Sequence, residues 1–253
     1  MNLTMQQWPD ELIIVRHGES AGNVARDRAL AAGVGVIDIA KRDCDVPLSE
    51  LGERQSVALG EWLARNADKP HAVLSSPFVR AQQTSHLSLK SAGWEDVPVV
   101  VDERLREKEF GILDRLTRRG IEETHPDQAD MSARLGKFYY RPPGGESWTD
   151  VILRLRSIVD TLTRDYARRR VLVVAHQVVV LCFRYLFECL DERAILAIDR
   201  EGDVANCSTT VFRYDANAGE HGGMSLVWYN RADALHRAGE PVTTEPDVPV
   251  APK

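Results

Sequence analysis

The sequence predicts an α/β protein, a three-layer α/β/α sandwich on a mostly parallel central sheet that ends in a C-terminal antiparallel hairpin. Three observations carry this. Short β-type apolar runs alternate with longer stretches of helical periodicity, which is the pattern of a sheet with helices on both faces. Two late β-type runs flank a Gly-rich loop, Gly219 to Gly223, as in a hairpin. The interior of the 253-residue chain has no Gly/Ser- or Pro-rich linker, so residues 1–230 read as one domain. From residue 231 to 253 the sequence turns polar and then Pro-spaced, with no apolar periodicity, and predicts a mobile tail.

The first strand is the apolar run Leu12 to Val15, and a helix is expected over Ser49 to Asn66. Ala72 to Leu74 is the second strand; after it, Ser76 can N-cap a helix that has Pro77 at its first position. Val99 to Val101 is the third. Residues 114–140 carry helical stretches but no strand, and read as an insertion placed to roof a substrate pocket. Ser147-Trp148-Thr149-Asp150 sets a carboxylate three residues after a cap, ahead of the helical run Val151 to Ile158. Val171 to Ala175 is the fourth strand, and Cys207 to Tyr214 with Ser225 to Tyr229 form the hairpin.

With 43% hydrophobic and 28% charged residues, the chain is an ordinary soluble protein able to bury a substantial core. A net charge of −6 argues against nucleic acid or an anionic membrane as a main partner. An anionic small molecule remains acceptable, because charges more than about 8 Å apart are screened and a few convergent arginines dominate locally. Cys44, Cys182, Cys189 and Cys207 have neither C-x-x-C nor zinc-type spacing and read as reduced structural thiols. The N-terminus resembles neither a signal peptide nor a membrane span, so a cytoplasmic location is expected by default. Gly33-Val34-Gly35 lacks the third glycine of a dinucleotide fingerprint. His17-Gly18-Glu19 fits the H-x-E of a zinc deaminase, but its P-C-x-x-C partner and any H-x-x-x-H pair are missing. No metal and no organic cofactor is expected, and a homo-oligomer is compatible with everything above.

Ligands of open α/β sheets bind beyond the carboxyl ends of the strands. There the sequence places Arg16-His17-Gly18-Glu19, then Ser75-Ser76-Pro77 with Arg80, then a loop with Glu107, then His176. Metal-free phosphoryl transfer needs a nucleophile, cations on the phosphoryl oxygens and a proton donor for the leaving oxygen, and this set contains all three. A neutral imidazole can attack phosphorus, and the arginine fork binds two phosphate oxygens at once. Gly18 would let the backbone approach a phosphate, and the amides of Ser20 to Asn23 would face it.

The run LIIVRHGESAGN resembles the signature of the histidine phosphatase superfamily, the phosphoglycerate mutase-like family. VPLSELGERQS, SSPFVRAQQT, LREKEFG and VLVVAHQ resemble its further motifs in the right order, as far as about Tyr229. The resemblance implies that Arg16, His17, Arg80 and His176 form the phosphate pocket, with His17 as nucleophile. It implies Glu107 as the acid; Glu103 and Glu109 lie close by. Asn23 falls at a phosphate-contacting asparagine, with helix capping as its other role. His71, His86, His125, His221 and His236 match no motif and read as surface or structural residues.

The family holds phosphatases, which pass the phosphoryl group to water, and mutases, which return it to another hydroxyl of the same sugar acid. The sequence favours a phosphatase acting on a small phosphorylated metabolite. Where mutases usually have a tryptophan before the asparagine this chain has Gly22, and in place of an adjacent arginine pair FYYRPPGGES has only Arg141. After His176 it has Gln177-Val178 where mutases often have Gly-Asn. Gln177, Arg118 and Arg141, with Glu146 and Ser147, are the substrate-side candidates; Arg118 stands near the place of a basic contact in the mutase loop. A phosphoglycerate mutase is the alternative, and a non-catalytic phosphate-binding protein on the same fold a further one.

Overall fold

The computed structural model describes residues 6–244. Strand β1 (Glu11–Arg16) sits between β4 (Arg170–Ala175) and β5 (Thr209–Asp215). Its residues Leu12 to Val15 are therefore covered on both faces and at most 7% exposed, which is why the strand reads as a continuous apolar run. With β2 (Ala72–Ser75), β3 (Val99–Val101) and β6 (Gly223–Arg231) the sheet has the order β3-β2-β4-β1-β5-β6. β3, β2, β4 and β1 are parallel, and β5 runs antiparallel to both β1 and β6. The expected sandwich, with its terminal hairpin, is what the chain forms.

Alternation along β1 sends Leu12 and Ile14 to one face, Ile13 and Val15 to the other. The first pair packs on α6 (Trp148–Asp165) and α7 (Gln177–Phe187), through Trp148, Val151, Leu155, Ile158 and Phe183, and Ile195 of α8 (Glu192–Glu201) joins the same core. The second packs on α2 (Glu50–Asn66) and α3 (Val79–Ala92), through Leu59, Leu63, Ala81 and Leu89. The buried residues of α6 recur every three or four positions, and its first turn is closed by the predicted capping box between Ser147 and Asp150. Ser49 caps α2 by accepting from the amide of Gly52.

Two expectations need correction. Helix α3 starts at Val79, with Phe78 rather than Ser76 as its cap. The Ser76 amide still donates to Val174 O at 3.0 Å, so the chain is held in the sheet beyond the point where Ser76 could begin a helix. The second correction concerns the C-terminus. Residues 231–244 are packed: α9 (Asp233–Ala238) buries Ala234 and Leu235 against α2, and the segment after it bonds to Gln55 and Asn206. Two apolar residues in a short helix are too few to show a period, so the sequence hides an element that tertiary contact stabilises. The rest of the predicted tail, 245–253, lies outside the described residues.

The insertion forms α4 (Arg118–Thr124) and α5 (Pro126–Tyr139), around a small core of Leu113, Ile121 and Tyr140. It docks on the loop that follows α1 (Ala21–Ala31). Gly35 and Gly120 meet there so closely that a Cβ on Gly120 would lie 1.9 Å from Gly35 O. Leu235 is fully buried. Leu235→Ala should therefore destabilise the protein by about 2–5 kcal/mol, read as a lower urea midpoint at unchanged slope; a loose tail would leave the midpoint where it is.

Candidate active site

The carboxyl ends of β1, β2 and β4 stand side by side, since Arg16 pairs with Ala175 and Ser75 with Val174. His17 follows β1 and is only 3% exposed. Its Nδ1 lies 2.7 Å from Gly18 O, which assigns the proton to Nδ1 and leaves the Nε2 lone pair for the cleft. Arg80 Nε donates to that Nε2 at 3.2 Å. Burial first, then the guanidiniums of Arg80 and Arg16, hold the pKa of His17 well below the usual 6.5, outweighing the hydrogen bond to Gly18. The ring is thus neutral and oriented.

The turn beneath the ring is tied at successive backbone groups. His17 O accepts from Asn206 Nδ2 at 2.8 Å, Gly18 N donates to Thr84 Oγ1 at 3.0 Å, and Glu19 N donates to Gln55 Oε1 at 2.8 Å. Gly18 is required by packing: a Cβ there would stand 2.6 Å from Gly52 O of α2. The first amides of α1 are also occupied. Ser20 N donates to Asn23 Oδ1, Ala21 N to Pro47 O and Asn23 N to Ser20 Oγ. The amides of Ser20, Ala21 and Asn23 are therefore not turned to an anion, whereas Gly22 lines the cleft; Asn23 closes a capping box. Asn23 does line the cleft, and with its oxygen engaged by Ser20 it has its amide group to offer.

Arg80 and Arg16 are 5% and 4% exposed and flank His17 in the cleft. Arg16 is anchored through Nη1 on Val204 O. His176, fully buried, lies with its ring centre 5.0 Å from that of His17, and its Nε2 is 2.7 Å from Ser76 Oγ. Burial, then Arg80, hold His176 neutral as well. Ser76, read from the sequence as a helix cap, is instead the partner that orients the second histidine.

Glu107 lines the cleft from the loop after β3, while Glu103 and Glu109 are exposed and do not line it. That loop is pinned to α6 by Arg154, whose Nη1 donates to Arg104 O and Nη2 to Glu107 O. Glu146 holds Arg154 and also accepts from Arg106 Nη2 at 2.6 Å, so it supports the acid loop and is not a substrate contact; Ser147 is the cap of α6. Gln177 lines the cleft at the start of α7 and donates to Asp203 Oδ1 at 3.0 Å. Arg118 and Arg141 are not brought to the site. They are exposed, paired with Glu122 and Asp150, and do not line the cleft.

The expected roof, residues 114–140, contributes Asp114 and Arg115 to the cleft lining, and a segment that the sequence did not single out contributes more. Ile37, Ile39, Lys41 and Asp43 of the loop after α1 cover the site together with Phe110, Asp114 and Arg115. Ile37 N donates to Arg115 O at 2.8 Å and Arg115 Nη1 to Ile39 O at 3.1 Å, so the two halves are stapled together. Arg26, Lys41 and Arg115 are its additional cations.

A sequence profile of the histidine phosphatase superfamily (branch 1) matches residues 12–226. A 2,3-bisphosphoglycerate-dependent phosphoglycerate mutase of Methylobacterium radiotolerans is 30% identical over 220 residues, covering 82% of this chain and 98% of its own. A 6-phosphofructo-2-kinase/fructose-2,6-bisphosphatase of Caenorhabditis elegans is 29% identical over 242 residues; the match spans 92% of this chain and 46% of that larger protein. Among solved structures, a mycobacterial glucosyl-3-phosphoglycerate phosphatase in complex with inorganic phosphate superposes with a TM-score of 0.67 at 26% identity, over 89% of this chain and 99% of its own.

The resting clamp already holds a carboxylate. Arg80 Nη1 donates to Asp43 Oδ1 at 3.0 Å and Nη2 to Asp43 Oδ2 at 3.2 Å, the two-pronged geometry in which a guanidinium grips phosphate. An anion that binds Arg80 must first displace Asp43. Asp43→Asn, which weakens the internal competitor, should lower the inhibition constant of inorganic phosphate several-fold in a competitive assay; an unchanged or higher constant would show that phosphate and Asp43 do not compete.

Proposed function

The chain belongs to the histidine phosphatase superfamily, and we propose that within it this protein is a metal-independent phosphomonoester phosphatase that forms a phosphohistidine at His17. The observation that carries the reading is the His17 imidazole, buried, neutral and oriented through Gly18 O, with Nε2 beside the Arg80 guanidinium. The phosphoryl dianion takes the place of Asp43 on Arg80, with Arg16 supplying the second guanidinium. His17 Nε2 attacks phosphorus as the bond to the leaving oxygen breaks, and Glu107 gives that oxygen its proton. Glu107, now a carboxylate, takes a proton from water, which attacks the phosphohistidine and releases phosphate with His17 neutral again. His176, kept neutral and held by Ser76, supports the phosphoryl oxygens without adding a charge that would need its own partner.

The substrate is a small phosphorylated metabolite. Sugar phosphates and sugar acid phosphates are the classes to test first, given the activities of the relatives. One observation keeps the mutase reading alive: Arg26, Lys41 and Arg115 at the cleft can hold a second anionic end. Against it, Arg118 and Arg141, expected to serve that end, do not line the cleft.

Rapid quench with a labelled substrate should give acid-labile, base-stable label on the wild type and none on His17→Ala. Phosphorus NMR with 3-phosphoglycerate and a trace of its bisphosphate should show phosphate release exceeding isomerisation; fast 2-phosphoglycerate with little free phosphate would install the mutase instead. For Glu107, proton donation is worth about 10²- to 10⁴-fold only where the leaving group needs it. Glu107→Gln should slow phosphoenzyme formation strongly for alkyl phosphates and much less for p-nitrophenyl phosphate, and equal losses would reduce Glu107 to a shaping role.

A further inference from the structure

The hydrogen bonds under His17 converge on one hydroxyl far away in the sequence. Gln55 accepts the Glu19 amide through Oε1 and donates through Nε2 to Thr243 Oγ1 at 3.0 Å and to Pro241 O at 3.0 Å. Asn206 donates through Nδ2 to His17 O, and its Oδ1 accepts from Thr243 Oγ1 at 3.0 Å. The hydroxyl therefore receives one hydrogen bond and gives one. That pairing is consistent only if both carboxamides keep the orientation that the nucleophile turn requires. The backbone adds to it, with Asn206 N donating to Thr243 O at 2.9 Å and Thr244 bridged to Ala205.

We propose that Thr243 is a positioning residue for the proposed phosphoryl transfer, acting on His17 through Gln55 and Asn206. The proposal rests on His17 being the nucleophile. The route is short and chemically specific. Gly18 O, which accepts from His17 Nδ1, and Glu19 N, which donates to Gln55, are the two polar ends of a single planar peptide unit. Holding that plane holds the acceptor that fixes both the tautomer and the rotation of the imidazole. Asn206 fixes the preceding peptide unit from its carbonyl, opposite Thr84 on its amide. Without the hydroxyl, Gln55 Nε2 is left with Pro241 O alone and Asn206 Oδ1 loses its Thr243 partner, so both carboxamides are held less firmly in this orientation. A turned Gln55 would present its NH₂ to the Glu19 amide, donor against donor, and the Gly18–Glu19 plane would swing. Misplacement of a reacting group by about 1 Å can cost on the order of 100-fold in rate, so partial loss of orientation is readable in kinetics.

The full chain is tested with Thr243→Val, which keeps the shape and removes the hydroxyl, Thr243→Ala as a second hydroxyl-free form, and Thr243→Ser, which retains it. Val242→Ala, on the exposed neighbour, is the control. Formation of phosphorylated His17 at saturating substrate is followed by rapid quench, and inorganic phosphate affinity by titration. Thr243→Val and Thr243→Ala should form phosphohistidine about tenfold more slowly, with phosphate affinity within about twofold of wild type, because Arg16 and Arg80 are untouched. Thr243→Ser should recover the wild-type rate, and Val242→Ala should not depart from it. Wild-type rates in both hydroxyl-free variants, a serine variant that does not recover, a loss that tracks phosphate affinity, or loss of the fold in both variants would each overturn the proposal. A wild-type chain that takes no label on His17 would instead remove the nucleophile reading itself, and the role of Thr243 with it.

Discussion

Two guanidiniums buried beside a buried imidazole set the terms for the rest of this structure. Arg16, Arg80 and His17 are each at most 5% exposed, and charges removed from water are costly unless paired or hydrogen-bonded. The imidazole responds by staying neutral, which is also the state that a nucleophilic imidazole requires. Arg16 is secured on Val204 O and Arg80 on Asp43, a carboxylate that is still 44% exposed. A buried cation with a partly wet anion on it is a seat from which the anion can be exchanged. A phosphate dianion satisfies the same fork with more charge, and Asp43 can move into water at little desolvation cost. The electrostatics that holds Asp43 on Arg80 thus suits a phosphate in its place.

That arrangement is built on strand ends, where side chains from distant segments of the chain converge. Parallel β1, β2 and β4 deliver His17, Ser76 and His176 to one edge, and the loop after β3 brings Glu107. The antiparallel β5 contributes differently. The loop leading into it carries Val204 and Asn206, which hold Arg16 and the His17 carbonyl. Parallel strands supply the reacting groups, and the late hairpin braces them.

What the sequence made legible follows the range of the interactions. Apolar runs and caps depend on neighbours a few residues away, so the strands, α2, and the capping box of α6 are readable in place. Arg16, His17, Arg80, Glu107 and His176 are readable because their chemistry is tied to strand ends and to motifs carrying those residue types. Asp43, Ser76 and Asn206 were not, since a short polar residue gives no local sign of a partner 37, 100 or 189 positions away. Arg118 and Arg141 failed for the complementary reason. Spacing placed them near the site, but acids at i+4 and at Asp150 captured them on the surface. Gly18 was legible as a required glycine, but not the α2 backbone that excludes its Cβ, because Gly52 is distant in the sequence.

The C-terminal segment shows how packing and chemistry become one constraint. Helix α9 has too little apolar surface to fold alone, so it forms only against α2, where Leu235 is covered. Docking α9 in turn delivers residues 240–244 across the start of α2, within reach of Arg54 and Gln55. Gln55 belongs to α2 and yet touches the Glu19 amide, so the helix that receives the C-terminal segment also borders the nucleophile turn. Gly52 explains why it can. With no Cβ between them, α2 and the turn approach until a side chain at Gly52 would stand 1.9 Å from Glu19 O. A larger residue there would push α2 outward, separating Gln55 from Glu19 and moving the surface on which α9 and Thr243 sit. Close approach at one glycine pair thus links the far end of the chain to the geometry of the ring that attacks.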